Sequence, residues 1–233
     1  MNPNDLSAGL SRQLQLDGYA LIPQFRCSGS TFEVASDVGT IIDLEVLLPG
    51  SRIPTVQTLT PRKESEAPES RYSGVFGLSE FPLHTDLAHW AIPPRYFMLR
   101  CIHGANDVAT KLLPASAVVS TVGHAILRRA LVKPRRASRY GNVGLLPLLF
   151  FSGQTNGLRW DSLFLTPMSA AARDVMDFMT GSEGTWSELK EIVLVRPGDT
   201  LIVDNWRMLH GRSDAVAGPK RIIERVYLSE IVL

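Results

Sequence analysis

The chain of 233 residues is poor in cysteine, in net charge and in long apolar runs. Its two cysteines, Cys27 and Cys101, stand far apart and match neither a disulfide framework nor a zinc-ligand spacing, so a reducing cytoplasm fits. The formal net charge is only +1, which supplies no chain-wide field for nucleic acid or an anionic membrane. No nucleic-acid module or base-stacking motif is present either. The polar stretch Met1 to Leu16 lacks the apolar centre of a secretory signal. The longest apolar stretch, Val143 to Phe151, is too short to cross a bilayer and is interrupted by Pro147. Neither an internal repeat nor an interdomain linker can be found. These absences leave a single domain over 1–233, of a size at which a β-sandwich or barrel builds a sizeable core.

One deficit is local. No acidic residue occurs between Asp107 and Asp161, whereas Lys111, Arg128, Arg129, Lys133, Arg135, Arg136, Arg139 and Arg159 fall there. A solvated helix and loop, balanced by acids elsewhere in the fold, accounts for this and agrees with the small net charge. The sharper reading is a docking patch for an acidic partner, such as a carrier protein bearing a tethered substrate.

What is present is a spaced set of metal-binding side chains: His84-Thr85-Asp86, and far downstream His210, followed by Arg221 and Arg225. In an extended strand, residues i and i+2 point to one side, so His84 and Asp86 reach one ion without strain. Two imidazoles and a carboxylate cover one face of an iron(II) ion and leave the opposite positions free. Pro82 suits a strand edge or entry, where no ladder donor is needed. Arg196-Pro-Gly-Asp199 is a turn signature and Thr200 to Val203 an apolar run, which puts His210 at or just past the end of a second strand. Taken alone, His84 and Asp86 need only hydrogen-bond each other beside a turn histidine. The full set favours metal.

Lys220 to Leu233 reads as a strand rich in β-branched and aromatic residues. Strict alternation places Arg221, Ile223 and Arg225 on one face. Two arginines there make a cationic site that is costly to bury unless an anion fills it; the plainer reading is an edge with solvated charges. Elsewhere the pattern is α+β. Tyr19 to Ile22 reads as a first strand, and Ser30 caps a helix through about Ile41. Strands follow near 94–103, 144–151 and 157–164, and helices at 114–122, 124–132 and 168–180. The polar, turn-rich segment 63–72 precedes the metal motif, as a lid or as a plain surface loop. Many short strands with few helices and an H-x-D…H set point to a double-stranded β-helix (jelly roll) core with flanking helices.

The chain resembles the taurine dioxygenase-like and clavaminate synthase-like Fe(II)/2-oxoglutarate-dependent oxygenases over about residues 72–233. The resemblance is carried by His84-Thr-Asp-Leu-Ala-His-Trp90, Pro93 to Cys101, Leu158-Arg-Trp-Asp161, Pro197 to Asn205, His210-Gly-Arg212, Arg221 and Arg225. It implies that His84, Asp86 and His210 bind iron and that Arg221 grips the far carboxylate of 2-oxoglutarate. Thr110 is the nearest match to a threonine that assists, and Arg225 matches an arginine that faces substrate or helps the co-substrate. It also implies consumption of dioxygen, conversion of 2-oxoglutarate to succinate and carbon dioxide, and oxidation of a C–H bond in a small polar molecule, such as an amino acid or biosynthetic intermediate. Related halogenases carry Gly or Ala at the metal carboxylate; Asp86 favours hydroxylation. A non-catalytic, cupin-like jelly roll that binds metal or ligand is the alternative.

Several residues keep two readings. Arg159 and Asp161 alternate on one expected strand face, lining the pocket or forming an ion pair. Arg212 reaches an anionic substrate or braces its loop. His89 falls opposite His84 if the strand continues, as a packing residue. His103 and His124 are read as surface or capping residues, Trp90 as core, and Asp204 and Asn205 as support or turn residues.

Overall fold

Short β-branched runs separated by glycine and proline give strands that must bury one face each, and two sheets packed face to face satisfy them. In the computed structural model, which describes residues 3–47, 50, 53–135, 144–181, 185–215 and 221–232, this is what the chain does. From the N-terminus run α1 (Pro3–Asp17), β1 (Tyr19–Ile22), α2 (Thr31–Val38), β2 (Gly39–Ile41), α3 (Leu44–Leu47) and β3 (Gln57–Leu59). Next come α4 (Ser73–Phe76), β4 (Phe81–His84), β5 (Tyr96–His103), β6 (Ala109–Pro114), α5 (Ala115–Val122) and α6 (His124–Arg129). Then follow β7 (Leu131–Pro134), β8 (Leu146–Pro147), β9 (Leu149–Ser152), β10 (Thr155–Leu158), β11 (Leu165–Pro167) and α7 (Ala170–Gly181). The chain closes with β12 (Lys190–Val193), β13 (Thr200–Asp204), β14 (Met208–Arg212) and β15 (Ile222–Ile231).

The larger sheet runs β1-β13-β5-β15-β2, with β3 also paired to β15; the smaller runs β12-β6-β14-β4. Their inner faces share one cluster, in which Phe97, Leu99, Leu201, Ile223 and Tyr227 of the first meet Leu112 and Met208 of the second. Phe97 is wholly buried, a side chain whose removal from water contributes about 1.5–3 kcal/mol. On the outer face of the larger sheet, Met98, Ile202, Val226 and Leu228 meet Leu10 and Leu14 of α1 and Val34, Ala35 and Val38 of α2. A third cluster joins α5, α6 and α7 to the small strands 131–167. The architecture is the α+β jelly roll with flanking helices that the strand pattern points to.

Four expected elements differ, the first being the strand over 144–151, which divides at Leu148 into β8 and β9 of separate sheets. The helix capped by Ser30, whose side chain accepts from Glu33 N while Glu33 returns the bond, stops at Val38 instead of Ile41. Gly39 enters a strand there, and a Cβ on it would lie 2.1 Å from Glu230 O across the β15 ladder. The helix expected over 124–132 ends at Arg129, because Leu131 and Val132 pair with β8. The strand expected over 157–164 ends at Leu158, so Arg159 and Asp161 lie in the irregular segment before the turn at 162–164 and not on one strand face. The basic segment divides: Arg128, Arg129, Lys133 and Arg135 are exposed, while Arg136 and Arg139 lie outside the described residues. No described helix is long and apolar enough to cross a membrane.

Candidate metal centre and its cationic floor

His84 and His210 are direct partners in the β4–β14 ladder, so their imidazoles leave the sheet side by side with centroids 4.3 Å apart. His210 therefore lies in mid-strand, not at a strand end. The close β4–β14 approach depends on Gly211, where a Cβ would meet Phe81 O at 2.6 Å. β4 ends at His84, and Asp86 lies beyond the ladder, yet its Oδ1 comes to 3.6 Å from His84 Nε2 and 3.5 Å from His210 Nε2. One donor atom from each of the three lies within 4.8 Å of the others.

The segment after the strand is fixed by its own hydrogen bonds. Thr85 N donates to Trp160 O (2.7 Å), its hydroxyl donates to Leu158 O (3.0 Å), and Trp160 N donates back to that hydroxyl (3.1 Å). Asp86 N donates to Asn205 Oδ1 (2.9 Å), while Asn205 Nδ2 donates to Asp86 O (3.1 Å) and Pro94 O (2.9 Å). Leu87 then takes φ 54°, a left-handed conformation that a branched side chain holds only where its surroundings determine it. The strand does not continue, so His89 sits half-buried beside Arg159, its ring 6.4 Å from that of Phe164.

The two histidines are tuned in opposite directions. His84 Nδ1 lies 2.9 Å from Pro82 O; as donor there, it leaves Nε2 to face Asp86. Burial opposes charge on His84, but the hydrogen bond and charge of Asp86 outweigh it and raise the pKa. His210 goes the other way: burial, then the charge of His84, depress it to about 4, leaving a neutral imidazole. Burial penalises the Asp86 carboxylate, yet Arg225 and then His210 hold its pKa well below the ordinary value.

Arg221 and Arg225 do share a face. Arg221 is buried, its Nη2 donates to Thr110 Oγ1 (3.2 Å), and its Nε has no acceptor. Burial lowers its pKa to about 10. Arg225 Nη1 donates to Asp86 Oδ2 (2.6 Å) and Nη2 to Gln57 Oε1 (2.8 Å). Thus Arg221 is tied to Thr110, while Arg225 braces the Asp86 carboxylate. Asp161 is buried 2% exposed, and its Oδ1 accepts from Leu163 N and Phe164 N, each at 2.8 Å. Burial raises its pKa, against the charge of His84 and hydrogen bonds that include Tyr72.

Two arginines give donors to main-chain carbonyls, although Arg212 stands directly across from Thr110 in the β14–β6 ladder. Arg159 makes no ion pair with Asp161: Nε donates to Pro147 O (2.9 Å), Nη1 to Ala88 O (2.8 Å) and Trp90 O (2.5 Å), and Nη2 to Ala91 O (2.8 Å). Arg212 braces its loop, with Nη2 on Gly77 O (2.9 Å) and Ser79 O (2.6 Å) and the guanidinium 3.7 Å from the Phe81 ring centroid. For Arg212 this is the loop-bracing reading, whereas the ion pair expected of Arg159 is replaced by main-chain carbonyls. Within the 63–72 segment, Tyr72 stacks on His84 (4.2 Å, 22°) and meets Phe81 and Phe164, which makes it a wall of the site. Tyr72, Gln57 and Tyr227 are not among the residues the sequence singles out. Alternation past Arg225 points to Tyr227, but nothing local marks the other two. Asn205 is the support residue it looked to be, and Trp90 packs on the core.

The donor set fits a divalent iron: two neutral-capable imidazole nitrogens and one carboxylate oxygen converge on one side. Arg221, buried with Nε unpartnered, fits an anion of the co-substrate's kind. The model of the family "Taurine catabolism dioxygenase TauD, TfdA family" matches residues 192–227, which hold β13, His210, Arg221 and Arg225. An asparagine oxygenase solved with Fe(II), 2S,3S-3-hydroxyasparagine and succinate is similar at TM-score 0.69 and 18% identity, over 97% of this chain and 79% of that one. PvcB, an Fe, alpha-ketoglutarate dependent oxygenase from an isonitrile synthetic pathway, is similar at 0.65 and 17%, over 95% and 79%. The non-heme iron oxygenase OrfP, with Fe, succinate and (3S)-hydroxy-L-Arg, is similar at 0.62 and 20%, over 98% and 81%. At these identities the likeness is one of fold.

Proposed function

We propose that the protein is an Fe(II)/2-oxoglutarate-dependent dioxygenase that hydroxylates a C–H bond of a small polar molecule of the amino-acid or biosynthetic-intermediate class. The observation that carries this is the joint burial of a three-donor cluster, His84, Asp86 and His210, beside an arginine, Arg221, with an unspent donor. A metal-binding jelly roll without turnover has no use for a buried arginine with an unspent donor beside its metal ligands. The fold neighbours support the reading, since their ligands are iron, succinate and hydroxylated amino acids.

Bound iron would supply dioxygen activation coupled to decarboxylation of 2-oxoglutarate to succinate. The chain's own residues do the rest. His84, Asp86 and His210 would hold the ion through two imidazole nitrogens and one carboxylate oxygen. Arg221 and Thr110 orient 2-oxoglutarate by its distal carboxylate. Tyr72 and Phe164 wall the space over His84 and exclude water, and Asp161 sits behind them as a polar contact for substrate. The chain acts as one oxygenase domain, because the site draws on residues from Gln57 to Arg225. Exposed Arg128, Arg129, Lys133 and Arg135 support delivery of substrate by an acidic carrier protein, since Arg135 N is bonded to Phe164 O (2.8 Å) at the site wall. Both cysteines are free, which agrees with a reducing cytoplasm.

Reaction of a library of small polar molecules under oxygen-18 gas tests the reading. The expected result is succinate release that depends on 2-oxoglutarate, with label in a hydroxylated product, and loss of metal binding and turnover in His210→Ala. Chlorinated product, activity without 2-oxoglutarate, or a His210→Ala protein with full turnover would each overturn it.

A further inference from the structure

The two oxygens of Asp86 are given different tasks. Oδ1 faces Nε2 of both histidines, at 3.6 Å and 3.5 Å, while Oδ2 accepts from Arg225 Nη1 at 2.6 Å. A guanidinium beside a carboxylate ordinarily offers two parallel N–H groups and engages both oxygens. Here it does not: the second terminal nitrogen goes to Gln57, and Tyr227 also bonds Asp86. Gln57 Oε1 takes Arg225 Nη2 at 2.8 Å, so Nη1 alone points at Asp86. The placement is built into the sheet: β3 is three residues long, and its register sets Gln57 directly across from Arg225 on β15. The Tyr227 ring lies 4.9 Å from the same guanidinium, two residues along the strand. Arg225 is thereby fixed at both terminal nitrogens.

We propose that Gln57 is a positioning residue of the metal centre: it confines Arg225 to a grip on one oxygen of Asp86, so that the other stays available as a single-oxygen metal ligand. This rests on the iron reading of His84, Asp86 and His210. Without Gln57, the freed Nη2 has Asp86 as its available acceptor, both oxygens are drawn from the metal side, and the donor set loosens.

The test uses metal alone, without co-substrate or turnover. Mn(II) binding is followed by electron paramagnetic resonance, and Co(II) absorption reports the coordination. Gln57→Leu should bind Mn(II) about tenfold more weakly, the scale on which outer contacts to metal ligands act, and should change the Co(II) bands. Gln57→Glu keeps an acceptor oxygen at the same reach and should restore both. Gln57→Met removes the acceptor at similar length and reads the same quantity if the Leu protein does not fold. Wild-type affinity and spectrum in the Leu and Met proteins would overturn the proposal. Equal losses in Leu and Glu would overturn it too, since the acceptor oxygen would then not be the cause. A wild-type protein that bound no metal would instead defeat the iron reading on which it rests.

Discussion

Two groups of buried arginines in this fold are used in opposite ways. On the two sides of β4, Arg159 and Arg212 give their N–H groups to main-chain carbonyls, of residues 88, 90, 91 and 147 for Arg159 and of 77 and 79 for Arg212. At the start of β15, Arg221 and Arg225 keep Nε donors that meet no acceptor. Burial weighs similarly on both groups, taking Arg159, Arg212 and Arg221 each to about 10. What separates them is where the hydrogen bonds go. A cation whose donors are spent on the backbone holds a shape; one with donors in hand is ready for an anion.

The sharpest way to break this contrast is Arg221→Leu. Losing the partner of a buried carboxylate costs on the order of 3–5 kcal/mol, so 2-oxoglutarate affinity should fall several-hundred-fold. Stability of the protein without co-substrate should stay level or rise, because an uncompensated buried cation has gone. Calorimetric titration of 2-oxoglutarate into the manganese-loaded protein, alongside a melting curve, reads both. Unchanged affinity would move the role to Arg225, and a large drop in melting temperature would place Arg221 with the scaffold arginines.

Arg159→Met should give the opposite pattern. It leaves the carbonyls of Pro147, Ala88, Trp90 and Ala91 without their donor, and each unmet buried acceptor costs about 1–3 kcal/mol before relaxation. With partial relaxation the expected loss is about 3 kcal/mol in urea unfolding. Metal affinity should weaken as a consequence, since 88–91 continues directly from Asp86. Arg159→Lys should recover only part, as a point charge cannot serve carbonyls in several directions. A neutral Arg159→Met would mean that these bonds do not hold the loop.

The contrast also explains what could be read in the sequence. The donor triad was legible because metal chemistry prescribes residue types, and the two arginines because alternation is geometric: Arg221 reaches Thr110 and Arg225 reaches Asp86, both on the side of the smaller sheet. The jelly roll was legible from strand frequency and turn residues. Arg159, Arg212 and Arg225 were not separable in advance. Whether a guanidinium ends on a carbonyl, a carboxylate or a ligand depends on backbone brought in from elsewhere, such as residues 88–91 for Arg159. Asp161 misled for a related reason, because the strand assumed to carry it ends at Leu158 and leaves it in an irregular segment. Gln57 carries no local signal at all; its meaning comes from pairing with a residue near the other end of the chain.

The smallest expected effect is at His89, which senses the unneutralised charge of Arg159. Burial first, and then that charge, lower its pKa in the folded state. In the unfolded chain it titrates near its ordinary value of about 6.5. As pH falls past that point the unfolded state takes up a proton the folded state refuses, so stability present at neutral pH is lost on the acid side. His89→Gln removes this share alone. Its urea stability relative to wild type should therefore improve steadily from about pH 7.5 to about pH 5.5, by less than the Arg159→Met deficit. In the Arg159→Met background the improvement should shrink, because burial remains as a cause but the neighbouring charge does not. An improvement of the same size in the Arg159→Met background would show that the Arg159 charge is not felt there. In that case carbonyl dipoles would screen this guanidinium as well as satisfy its hydrogen bonds, and the two groups of arginines would differ in field as well as in geometry.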